Sequence, residues 1–353
     1  MWQGREIIPC TLALLAGNLL GSAFPFPPLL MLVLSACAAL VSAFRPKPAP
    51  LFGCFVLLGA ATVQVGRMPP YQEASALTAW AAGCKTAFSA RLGTMLPEGD
   101  ELAVLQSLAI GDKSGLTRDL RTAYRGSGAM HLLALSGLHV GLIYALLVRL
   151  LTPLGGYRTA RLFRSFIILG SLWTYAVITG LSASITRAVL MITFYELSGL
   201  LTGGRDGLTA LFASAFLLML FRPEAPRDIG FQLSYTAVLS ILLLHPRLKG
   251  MLQSRSRLLT RVWELLSVSL CCQATCGVLA WWYFGTFPRY FLVTALLAIP
   301  LATAVMYSIA ATLATTAAAT LLPSLTPLAD IAVRTLGWLL HLLNEVVRLI
   351  AEL

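Results

Sequence analysis

Charge is scarce in this chain. Only 12% of its 353 residues are Asp, Glu, Lys or Arg, roughly half the share of an ordinary soluble domain. Hydrophobic residues make up 58%, and so few charges could not cover the surface of a water-soluble protein of this size. Other signatures are missing as well. The seven cysteines form no CxxC and no Cys/His cluster, which argues against a zinc site or a disulfide framework; cysteine serves here as a small apolar residue. No GxxxxGK[ST] occurs, so no ATP site is legible. No His-x-His-x-Asp-His metal motif and no Gly-x-Ser-x-Gly elbow occur either. No cofactor is expected, and the first apolar run, interrupted by Pro9 and Asn18, reads as a retained helix rather than a cleaved leader.

What remains is apolar length. A spanning helix needs about 20 apolar residues to cross about 30 Å of hydrocarbon. Such runs occupy about 6–22, 28–44, 51–65, 129–150, 162–180, 186–202, 207–221, 229–244, 262–284, 289–301 and 302–322, with a last helical stretch at 326–351. The fold class is therefore all-α: a polytopic integral membrane bundle of about ten to twelve spans, with external amphipathic helices and broken helices. Residues 1–66 form N-terminal transmembrane helices, 67–128 an external amphipathic or interfacial segment, 129–325 the transmembrane core, and 326–353 an amphipathic or transmembrane helix. Within 67–128, Leu77, Trp80, Ala81, Cys84 and Phe88 recur at helical spacing, as do Leu102, Leu105, Leu108 and Ala109 behind acidic Glu98, Asp100 and Glu101.

The formal net charge is +11. It fits either cytoplasmic loops, which gather Lys and Arg whatever the function, or an anionic polymer. Arg45 and Lys47, the group Arg149, Arg158, Arg161 and Arg164, then Arg205, then Arg247, Lys249, Arg255, Arg257 and Arg261 all fall on one side if each run crosses once. That side is expected to be cytoplasmic, with the N-terminus inside and 67–128 outside.

Polar groups inside apolar runs are costly and usually face a bundle interior or a cavity. His131, Ser136 and His139 lie in MHLLALSGLHVGLIYALL; on an unbroken helix the two histidines differ by roughly 80° in azimuth and can face one lumen. They serve equally well as ties between helices. Gly137 and Gly141 make a GxxxG step for close helix packing, and the Ser-Gly pair can break the helix. Ser136 and His139 can touch, but a hydrolase needs a third, orienting acid, which the span does not supply. Arg187 heads the span at 186–202; Glu196, near its middle, is either a proton-coupling carboxylate or a hydrogen-bonded strut. Gln232, Ser234 and Gln273 can cross-link helices or line a path. Trp281, Trp282 and Tyr283 suit an aromatic belt or base stacking. Gly180–Ser184 and Pro300 mark expected helix breaks. The stripe Arg334, His341, Glu345, Arg348 suits an interfacial helix or a water-filled passage.

At HLLALSGLHV, residues 131–140, the sequence resembles the hallmark of the ComEC-type competence family, whose transmembrane domain is the bacterial DNA-uptake channel. Residues 108–112, LAIGD, are similar to its LLxGD element, and 184–191, SITRAVLM, to PSxxRAxxM. Residues 230–239, GFQLSYTAVL, resemble GFQLSFxAV, and 296–301, LLAIPL, resemble its NLLAIPL ending. Ala183, Gly277 and Ala295 stand where that family has Pro, Pro and Asn. The resemblance implies an inner-membrane channel core for inward passage of single-stranded DNA. It would lack the OB-like and metallo-β-lactamase-like domains of longer members. A separate DNA receptor, a nuclease and a cytoplasmic motor or DNA-binding protein would be its partners. His131, Ser136, His139, Arg187, Gln232, Ser234 and Gln273 would line the path. A small-solute transporter coupled through Glu196, an intramembrane hydrolase using Ser136, or a scaffold without uptake activity are the competing readings.

Overall fold

The computed structural model describes residues 7–24, 27–44, 48–66, 76–155, 157–252, 255–285 and 290–352. Arg45, Lys47 and positions 67–75 therefore lie outside the described residues. The N-terminal helices are α1 (Ile7–Ala23), α2 (Pro28–Phe44), α3 (Pro48–Gly66) and α4 (Ala76–Gly93). Short helices follow: α5 (Asp100–Ile110), α6 (Arg118–Gly126) and α7 (Met130–Leu133). Then come α8 (Gly137–Leu151), α9 (Arg158–Ile178), α10 (Ala183–Thr202), α11 (Gly207–Phe221) and α12 (Ile229–Met251). α13 (Arg257–Cys272) passes through a π-helical turn at Gln273–Gly277 into α14 (Val278–Phe284). α15 (Phe291–Leu321) and α16 (Thr326–Ala351) complete the chain, and no strand occurs among the described residues. Six helical segments among them are long and apolar enough to cross a membrane, and four shorter apolar helices accompany them. The protein is an all-α membrane bundle.

Two compact units divide the chain, Met1–Ala74 with Leu190–Leu242 and Ser75–Val189 with Leu243–Leu353; α10 and α12 contribute to both. In the first unit α1 and α3 approach closely because glycine leaves room. A Cβ on Gly17 would stand 1.9 Å from the Val56 carbonyl oxygen, and one on Gly59 would stand 2.3 Å from that of Leu14. In lipid, where apolar burial gives little drive, such small-residue contacts hold helices together. Gln64 Nε2 donates to the carbonyls of Gly21 and Phe24, 2.7 Å each, and Thr11 Oγ1 to that of Phe212 at 3.1 Å. Leu14, Leu211, Ala215, Met219, Phe231 and Tyr235 form the apolar centre.

The second unit is built around a larger core. Leu105, Leu108 and Ile110 of α5 are fully buried together with Tyr124, Leu133, Val305, Leu336, Leu340 and Val347. α5 starts with Asp100 and Glu101, which suit the positive end of its dipole, and stops at Gly111 in the left-handed region (φ 70°). Nearly all of α5 is buried, more than its apolar spacing alone conveys, because α16 and α4 both pack against it.

One expected helix break is missing and another is present. Pro300 does not divide the apolar run; α15 continues through it for 31 residues. A proline removes one hydrogen bond, and without polar neighbours to form a loop the helix goes on. The run at 129–150 is broken instead, at 134–136. On α16 three members of the polar stripe are paired. His341 Nδ1 sits 3.0 Å from Glu101 Oε1, and Arg348 binds Asp100 at 2.6 Å and Glu345 at 2.7 Å.

Candidate polar break and π-turn

Between α7 and α8 the backbone is extended: Ala134 has ψ 132°, and Ser136 has φ −125° and ψ 163°. A break inside an apolar run leaves backbone groups to be satisfied by side chains. Ser107 of α5, itself fully buried, donates to the Leu133 carbonyl at 2.9 Å. On the far side Ser136 caps α8. Its backbone N–H donates to His139 Nδ1 at 3.3 Å, and its hydroxyl lies 2.8 Å from the same nitrogen. An N–H can only donate, so Nδ1 is the acceptor and the ring proton sits on Nε2. His139 thus takes the third position of a capping box, the place usually filled by Glu or Gln.

His131 is set differently. Its Nδ1 faces the Gly128 carbonyl at 2.9 Å, which can only accept, so this ring carries its proton on Nδ1. His131 is exposed, whereas His139 is 2% exposed. Because the helix is broken between them, the 80° azimuth expected of a continuous helix does not relate the two rings. Nor does Ser136 touch His139 across one helix face; it does so as a cap. No carboxylate hydrogen-bonds to His139 among the described residues, so the pair lacks the third member that a nucleophilic triad needs.

Gly137 brings α10 close: its Cβ position lies 3.7 Å from the Ala188 methyl, an ordinary contact. Arg187, 7% exposed, is the neighbouring residue. The second glycine of the step, Gly141, faces nothing within 4 Å among the described residues, so it does not pack a helix here. The turn before α10 is a Schellman cap in which Gly180 (φ 74°) donates to Val177 and Leu181 to Ala176. Leu181 itself has φ 52°, a conformation that costs a branched side chain energy. This turn ends at Ala183, where the resembled family has proline.

Gln273 opens the π-turn, and its Nε2 is buried without a hydrogen-bond partner among the described residues. A Cβ on Gly277 would stand 2.8 Å from that amide. π-turns leave backbone and side chains unsatisfied inside helices and concentrate at functional sites. Three further residues singled out by sequence, Gln232, Ser234 and Glu196, lie in the other unit. Gln232 Nε2 closes the preceding turn by donating to Pro226 O at 2.8 Å, and Ser234 is half-buried on α12. Their neighbours Phe231 and Tyr235 carry the packing of that element, Tyr235 also donating to Ser214 Oγ at 3.2 Å. Glu196 is 1% exposed and paired with Arg205 at 2.8 Å, six residues before the end of α10 rather than near its middle.

Sequence reasoning missed the residues that connect these elements. Ser107 pins the Leu133 carbonyl at the break, while Tyr175 (donating to Ala109 O at 3.1 Å) and Thr294 (donating to Ser127 O) tie down the segments that precede it. The only signal was a lone polar residue in an apolar helix. The short element at 108–112 packs directly on the break: a Cβ on Gly111 would meet the Leu135 side chain at 2.6 Å. Asp112 folds back on Ser114, 3.0 Å from its N–H and 2.7 Å from its hydroxyl, and those bonds hold its carboxyl below the usual range.

Two of the elements that resemble the competence family, 108–112 and 184–191, thus pack against the broken helix that carries its hallmark. A sequence profile described as "Competence protein" matches residues 108–353, more than half of the chain. The chain belongs to the competence protein family. It is similar to ComE operon protein 3 of Bacillus subtilis (strain 168), with 35% identity over 150 residues, 42% of this chain and 19% of that protein. An uncharacterised protein of Aquifex aeolicus (strain VF5) is 30% identical over 138 residues, 39% of this chain and 32% of its own. Competence protein ComA of Neisseria gonorrhoeae is 29% identical over 153 residues, 40% of this chain and 21% of its own. The chain therefore spans no more than about a third of any of these relatives. No solved structure matches significantly.

Proposed function

We propose that this competence-family chain is the membrane-embedded core through which one DNA strand passes inward during natural transformation. The observation that carries the reading is the polar break at 134–136, built by the family hallmark inside an otherwise apolar run. DNA is a polyanion and needs hydrated, hydrogen-bonding surface to cross hydrocarbon. Irregular backbone at membrane depth is tolerated where protein or a water-filled cavity satisfies it. In this reading His131, Ser136, His139, Arg187 and Gln273 line the strand's route. The protein lies in the bacterial cytoplasmic membrane, with the Arg149–Arg164, Arg205 and Arg247–Arg261 ends inside. A receptor, a nuclease and a motor or DNA-binding protein are separate partners.

The test is transformation with labelled DNA in a strain lacking this chain, complemented by wild type or by the His131→Ala/His139→Ala double variant at equal membrane level. Wild type should restore labelled strand in the cytoplasm and the double variant should not. Unchanged uptake after deletion in a competent strain would make a small-solute transporter the leading reading.

A further inference from the structure

The end of the hairpin between α12 and α13 carries cations that its own fold does not use. Positions 245–264 hold five cations, Arg247, Lys249, Arg255, Arg257 and Arg261, against one acid, Glu264. Arg247 is spent on the α12 terminus, donating to Leu243 O at 2.7 Å, and Lys249 pairs with Glu264 at 2.7 Å. Arg255, Arg257 and Arg261 are exposed and make no hydrogen bond or salt bridge among the described residues. Beside them is an open pocket of about 610 Å³ lined by Lys249, Leu252, Arg255, Thr260, Trp263 and Glu264. Trp263 is fixed as a wall by its Nε1–H, which donates to Leu248 O at 2.9 Å. Large apolar side chains share this end of the hairpin: Met251 and Leu258 are each 74% exposed.

We propose that this pocket binds the headgroup phosphate of an anionic phospholipid, with the acyl chains lying along Met251, Leu258 and Leu259. Guanidinium forks match phosphate oxygens bidentately, and a tryptophan with one bonded polar edge suits the membrane interface. Basic residues at an anionic leaflet add attraction one by one. A nucleic-acid strand would use the cations, but it would gain nothing from exposed Met251 and Leu258 at the same rim. A lipid uses both. The site is independent of the strand-passage reading, because it depends only on this hairpin end being at a membrane surface.

The experiment is native mass spectrometry of the full chain released from detergent micelles containing equal phosphatidylglycerol and phosphatidylcholine. Wild type should retain phosphatidylglycerol preferentially, and Arg255→Gln/Arg257→Gln/Arg261→Gln should lower that preference roughly tenfold or more. Glu264→Gln, which removes the pocket's acid, should raise it and serves as the check if the triple variant fails to fold. Added oligothymidylate and inorganic phosphate should leave the lipid bound. Equal retention by wild type and triple variant overturns the site, as does no rise in Glu264→Gln. Displacement by oligothymidylate assigns the pocket to nucleic acid instead, and displacement by phosphate reduces it to a simple anion site.

Discussion

In the unit formed by Met1–Ala74 and Leu190–Leu242, α1 and α3 meet backbone to backbone, whereas in the other unit α5 is enclosed by large apolar side chains. The first arrangement depends on what is absent from Gly17, Gly21 and Gly59. The second depends on Leu105, Leu108, Leu336 and Leu340 being present, and on polar groups such as Ser107 that pin broken backbone. Helices that meet through missing side chains tolerate no added atoms. A core that encloses a break tolerates no lost hydrogen bond.

The sharpest way to break that contrast is Gly17→Ala. Its Cβ would overlap the Val56 backbone, which cannot rotate away, so we expect a loss of about 3 kcal/mol. Denaturation of the purified protein in mixed micelles measures it. Gly141→Ala, with nothing nearby, should change stability by less than about 1 kcal/mol. Equal effects would show that glycine spacing, rather than the contact, controls this packing.

The next effect belongs to the second unit. Ser107→Ala leaves the Leu133 carbonyl buried beside a helix break with no donor, and should cost about 2 kcal/mol. In the first unit, Thr11→Val removes a similar bond to Phe212 O, but that carbonyl lies inside α11 and keeps a helical donor. It should cost well under half as much. His139 sharpens the comparison toward function. His139→Ala removes the cap, worth about 1 kcal/mol, and should abolish strand uptake; His139→Gln can rebuild the capping box. Uptake restored by Gln assigns His139 the role of holding the break open. Uptake still lost, with stability recovered, assigns the imidazole to the route itself.

The class of fold was legible because lipid as solvent sets helix length and excludes charge, and both are read directly from composition. The break at Ser136 was legible in kind, since Ser-Gly in an apolar run offers a cap and a hinge. Its consequence was not. Helical azimuths for His131 and His139 assume a continuous helix, and only the extended backbone at 134–136 shows that they are held by different carbonyls and caps. Pro300 misled for the converse reason: a helix-breaking residue does not end a helix that has no polar segment to turn into. The partner of Glu196 was out of reach of single-helix reasoning, because Arg205 returns to it through a turn. Ser107 carried no mark beyond its polarity.

The smallest expected effect separates the two units by pH. Glu196 and Arg205 in the first are shielded on the carboxylate side, which is 1% exposed, while Glu101 and His341 in the second are 36% and 61% exposed. The His341 hydrogen bond holds the Glu101 carboxyl below its usual range. A carboxyl whose folded value is depressed favours the folded state above its unfolded pKa, about 4.3, and that contribution is lost as pH falls through the lower folded value. Exposure and salt limit it to about 1 kcal/mol at most. A double-mutant cycle of Glu101→Gln and His341→Gln should therefore show coupling near pH 5.5 that fades at a pH well below the ordinary carboxyl value of about 4.3. Coupling of equal size at both pH values would mean that shape, rather than charge, joins α16 to α5. High salt should weaken the pH 5.5 value too, because both side chains face solvent.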